Sequence, residues 1–100
     1  MTVYRGFKHS GGMGHQLVTK DDDILSPIPS QKLYNHSPDG FSWGYGGSGP
    51  AQLALALLYD ATGDKEISLR NHQQFKWTFV ANWQEDWHIT SDEILAWLKV

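Results

Sequence analysis

"GFSWGYGGSGPAQLALALL" (residues 40–58) sets five glycines among three aromatic residues and then runs straight into the most apolar segment of the chain. From Ala51 to Leu58 only Gln52 is polar, so the segment is apolar almost all round and reads as a helix central to a core. Pro50 suits the first helical position, where a missing N–H is no loss, and Gly49 or Ser48 stands where a cap belongs. The glycines before it predict an abrupt turn from an aromatic strand bearing Phe41 and Trp43 into that helix.

Upstream, "TVYRGF" (2–7) and "QLVT" (16–19) are β-prone runs separated by the glycine-rich "KHSGGMGH", the pattern of a hairpin. "DDDILSPIPS" (21–30) offers a charged turn and then an edge strand or extended segment, because Pro27 and Pro29 exclude a central strand. "NHSPDG" (35–40) is a turn by composition. Downstream, Thr62-Gly63 ends the apolar helix, and Asp64 caps a second one expected to run to about Trp83, with Glu66 and Arg70 at i, i+4. Its apolar stripe holds Leu69, His72, Phe75, Phe79, Val80 and Trp83, and Lys76 falls within it. In "ITSDEI" (89–94), Thr90 and Glu93 form a capping box and Ile89 can staple onto Ile94, opening a last helix from Ser91. The expectation is a single α+β domain over 1–100: a small antiparallel sheet from the N-terminal half, packed against about three helices from the C-terminal half.

Composition narrows function. Eight basic residues, scattered along a chain of net charge −3, argue against nucleic acid as the partner. The absence of cysteine excludes disulfides and thiolate metal sites. No run nears the roughly 18 apolar residues of a membrane span, so a soluble, cytoplasmic protein is expected. Thirteen aromatic residues in 100, five of them tryptophan, are an unusual share; a few large rings supply much of the core of so small a domain, which is the plainer reading, and a partner surface is the sharper one.

The glycine stretch invites comparison with anion-binding loops, since N–H groups and the macrodipole at a helix start favour negative charge. The phosphate-binding loop pattern requires Lys and then Ser or Thr after its last glycine, and here Pro50 and Ala51 follow. The dinucleotide fingerprint requires a strand after the helix, and here another helix follows. What remains is a nest of N–H groups at Gly46, Gly47, Ser48 and Gly49, with Lys76 as the cation that could close it around an anion. Lys76 could instead lay its stem over apolar surface or find a buried partner, for which Asp60, Asp64 or a C-terminal carbonyl are the candidates.

Other chemistries fare worse. Counting from Asp21 as a calcium loop puts Ser26 where glycine belongs and Lys32 at the twelfth position. His9 and His15 flank a glycine loop but have no nearby third ligand. Gly46-Gly47-Ser48-Gly49-Pro50 ends in proline where a nucleophile elbow needs glycine, and no acid, base and nucleophile can be assigned together. No catalytic residue, metal or cofactor is therefore assigned.

The block at 40–58, "FKW" at 75–77, the terminal "W-x-I-T-x-x-E-I-x-x-W-L", "VYRG" near the start and "NHSPDGF" before the glycines together resemble a family of small bacterial and phage-associated proteins, domain of unknown function 6166. The likeness extends over the full chain. It implies no activity or catalytic residue, and it turns the expectation toward regulation or host interaction rather than metabolism. The leading expectation is a non-enzymatic binding protein that meets a protein partner through exposed anchors at Tyr34, Trp77 and Trp87. A small-molecule or phosphate binder built on the glycine loop, and an inhibitor of a host defence system, are the alternatives.

Overall fold

The computed structural model describes residues 1–8 and 16–99. In chain order its elements are β1 (Val3–Phe7), β2 (Leu17–Lys20), β3 (Asp23–Ile24), α1 (Ile28–Leu33), α2 (Ser48–Thr62), α3 (Lys65–Thr78), β4 (Trp87–Thr90) and α4 (Ser91–Leu98), with a 3-10 turn at Val80–Asn82. The architecture is α+β, with a four-stranded antiparallel sheet in the order β3-β2-β1-β4. The chain falls into two compact units, Met1–Leu25 with Glu85–Val100, and Ser26–Gln84.

In the first unit the β1–β2 hairpin forms as its alternation predicts, with Tyr4 opposite Lys20 and Phe7 opposite Leu17. The two-residue link from β2 to β3 uses Asp21 and Asp22, both at positive φ (48° and 73°), the primed-turn geometry that matches strand twist. Asp21 also accepts the N–H of Val3 through Oδ1, tying the turn to β1. The fourth strand comes from the C-terminal half, so the sheet is not confined to the first 45 residues: β4 pairs with β1, Ile89 opposite Tyr4 and Trp87 opposite Gly6. Tyr4, Gly6, Val18, Trp87 and Ile89 thus share one face, and all are buried. The capping box is present as expected, with Glu93 N–H donating to Thr90 Oγ1 and Thr90 N–H donating to Glu93 Oε1. Ile89 and Ile94 on either side of it are both buried.

The second unit is built on α2. Its leucines and alanines have high helix propensity, and everything from Gly49 to Leu58 is buried. The helix ends where Gly63 turns left-handed (φ 67°) and donates its N–H to Tyr59. Asp64 then caps α3 by accepting from the Ile67 N–H. The buried positions of α3, Ser68, His72, Phe75 and Lys76, form one stripe by helical period.

Three boundaries differ from expectation. The stretch 41–47 forms no strand, and α2 begins at Ser48, two residues before Pro50. The helix α3 stops at Thr78 rather than near Trp83, because Asn82 Nδ2 donates to the carbonyls of Trp77 and Thr78 and so satisfies acceptors that a longer helix would use. Residues 28–33 are helical although two prolines lie close by. Pro27 and Pro29 occupy the cap and first turn of α1, where no helical N–H partner is lost, and Ser26 Oγ accepts from the Ile28 N–H.

Candidate aromatic recognition site

The candidate site lies in the second unit, where the glycine stretch meets α3. Gly44 turns the chain at φ 90°, a conformation side chains avoid, and donates its N–H to the Val80 carbonyl. Gly46 then presents bare backbone to the indole of Trp77, so closely that a Cβ at Gly46 would overlap the ring. The Tyr45 ring lies in the same way against Gly47, and its hydroxyl pairs with Ser42 Oγ at 2.8 Å. Two large rings are therefore held against consecutive glycines, yet Trp77 is 60% and Tyr45 53% exposed.

Lys76 anchors this arrangement. Its ammonium donates to the Gly46 carbonyl at 2.9 Å and stands 4.6 Å from the centroid of the Trp77 ring. At 6% exposure it is a buried cation, and its ammonium has a hydrogen-bond partner rather than reaching solvent over the apolar surface. That partner is a carbonyl of the glycine loop itself, not Asp60, Asp64 or a helix C-terminus. The Gly46 carbonyl and the Gly47 N–H belong to one trans peptide and point opposite ways. The ammonium therefore fixes the loop from its carbonyl side and does not converge with the Gly47 N–H on a common anion. Ser48 and Gly49 open α2 without a side-chain cap.

One turn back along α3, His72 continues the strip. Its Nδ1 donates to the Leu69 carbonyl at 2.8 Å, which leaves Nε2 as an acceptor in the neutral ring, and His36 Nε2 donates to it at 2.9 Å. Tyr34 stacks on His36, with ring centroids 4.3 Å apart, and is 58% exposed. Burial first, then the His72 imidazole and the Lys76 ammonium, hold His36 below its ordinary value of 6.5. The segment bearing these rings is fastened from beneath by Gln52, whose side chain is fully buried. Its Oε1 accepts the N–H groups of His36 (2.7 Å) and Ser37 (3.0 Å), while Nε2 donates to Ser30 Oγ and the Tyr34 carbonyl.

Of the residues singled out in the sequence, Gly46, Lys76 and Trp77 are in mutual contact, and Gly47, Ser48 and Gly49 continue from them into α2. Tyr34 lies further along the same strip through His36, His72 and α3. Trp87 departs from expectation. It is 7% exposed, because it faces inward from β4 with its indole over Gly6, so it is a core residue of the sheet and not an exposed anchor. A cleft of about 230 Å3 beside it, lined by Arg5, Phe7, Asp86 and His88 among others, has no buried charged side chain. His9 and His15 lie outside the described residues. Among the described residues no three histidines or carboxylates gather as a metal site.

The sequence reading missed Tyr45, His36 and Gln52 as site residues. Gln52 carried a signal: a lone amide on an otherwise apolar, buried helix has to find hydrogen-bond partners. His36 carried none, since it sits in a turn without periodicity.

Fold and site define a small α+β protein with an exposed aromatic surface. The chain belongs to a family of unknown function, DUF6166, whose pattern matches residues 4–100. No curated protein and no solved structure matches it.

Proposed function

We propose that this chain is a small binding protein that engages a protein partner through the surface formed by Trp77, Tyr45 and Tyr34 around the glycine loop. The observation that carries the proposal is the pair Trp77 and Tyr45, more than half exposed yet each seated on a glycine. Exposed rings lose the free energy that burial would give, and rings already held in place lose little further entropy when a partner covers them. Tryptophan and tyrosine are also the side chains that most often dominate protein interfaces. Lys76 keeps the platform in register through the Gly46 carbonyl.

Two variants test this. Trp77→Ala removes the larger anchor, whereas Gly46→Ala keeps the indole but places a methyl group where the ring lies. The ring can swing into solvent, so Gly46→Ala is expected to cost only about 1 kcal/mol of stability. Proteins recovered from lysate by the wild type and lost with both variants, with the melting temperature of Gly46→Ala lowered by only about 4–8 °C, are the expected result. Equal recovery by all three would remove the platform from the function. A rise in melting temperature on adding inorganic phosphate, undiminished in Trp77→Ala, would favour an anion site at Ser48 and Gly49 instead.

A further inference from the structure

We propose that the His36–His72 pair is an acid-operated latch, which holds residues 34–37 against α2 and α3 while at most one of the two imidazoles is charged and releases them when both are. The proton positions follow from the partners. A carbonyl can only accept, so His72 Nδ1 carries hydrogen and its Nε2 receives the bond from His36 Nε2. A first added proton can enter at His36 Nδ1 and leave that bond intact. The second has only His72 Nε2 to occupy, and two N–H groups then face each other across 2.9 Å.

The surroundings oppose the charged pair. The groups facing His36 are Tyr34 of its own segment, His72 and Lys76 of α3, and the neutral amide of Gln52 from α2. Those that act on its charge are His72 and Lys76, both against it, and burial adds to them. Because His36 is held below its ordinary 6.5 in the folded protein, the unfolded chain takes up protons first as pH falls. The stabilisation is therefore complete above the ordinary value and declines as pH drops from there through the folded value. A metal would not relieve the pair: among the described residues no third ligand joins it, and the Lys76 ammonium repels a cation.

What would move is limited by what stays. The Gln52 bonds to the His36 and Ser37 N–H groups lie at the edge of the unit, whereas the α2 core around Leu55 and Leu57 is fully buried. Imidazole nitrogen shifts and amide exchange protection, corrected for intrinsic rates, test the latch between about pH 7.5 and about pH 4.5. Protection at His36 and Ser37 is expected to fall about tenfold or more as the second imidazole charges, while Leu55 and Leu57 keep theirs. His72→Gln, which cannot charge, is expected to weaken that pH dependence, leaving only what burial and Lys76 impose on His36. The latch is overturned if both rings charge with His36 and Ser37 still protected, or if the Leu55 and Leu57 amides lose protection at the same pH. A folded His72→Gln variant with unaltered pH dependence would overturn it too.

Discussion

Replacing Gln52 by leucine is expected to destabilise the protein by about 3 kcal/mol, although leucine has nearly the same volume and is the more apolar residue. Gln52 is fully buried and makes four hydrogen bonds, three of them to backbone groups of residues 34–37. Leucine would satisfy none. Each polar group left unpaired away from water costs about 1–3 kcal/mol, and the half-buried position of His36 and Ser37 lets water recover part of that loss. Urea unfolding followed by circular dichroism should show a lower midpoint with unchanged slope. A leucine variant as stable as the wild type would mean that Gln52 does not hold the Tyr34 segment.

Gly6→Ala is expected to cost a similar amount for the opposite reason, too much matter rather than too few partners. A methyl group there would overlap the Trp87 indole, which is buried and cannot swing into solvent as Trp77 can. Overpacking of this kind costs about 1–3 kcal/mol, and the upper end is expected because Gly6 lies between two paired strands, opposite Val18 and Trp87. The melting temperature should drop by roughly 12 °C or more. Trp87→Leu in the same background should recover part of the loss, and the coupling between the two sites is the specific readout. Additive effects would show that the indole does not rest on Gly6.

The contrast between Trp77 and Trp87 shows what the sequence could disclose. Trp87 and Ile89 alternate before a capping box at Thr90, the pattern of a strand with one buried face, and that pattern places Trp87 inward once the strand is recognised. Its pairing with β1 is a contact across most of the chain, which no local pattern encodes. The α2 core, the α3 cap at Asp64 and the capping box were all legible, because each depends on residues within one or two turns. The early end of α3 was not, since it depends on Asn82 folding back onto two carbonyls. The glycine loop was legible as a sharp turn, but what its glycines accommodate was hidden. Gly46 serves a ring 31 positions further on, and Lys76 finds its partner 30 positions back.

The central claim is that partners meet this protein at the Trp77 platform. The most direct measurement keeps Trp77 and places a photoreactive benzophenone side chain at position 73, exposed and one turn from Trp77 on α3, or, as a control on another exposed part of that helix, at position 67. Irradiation in lysate should give a discrete cross-linked protein adduct from position 73 and none of the same mass from position 67. The same adduct from both positions, or from position 67 alone, would contradict the account.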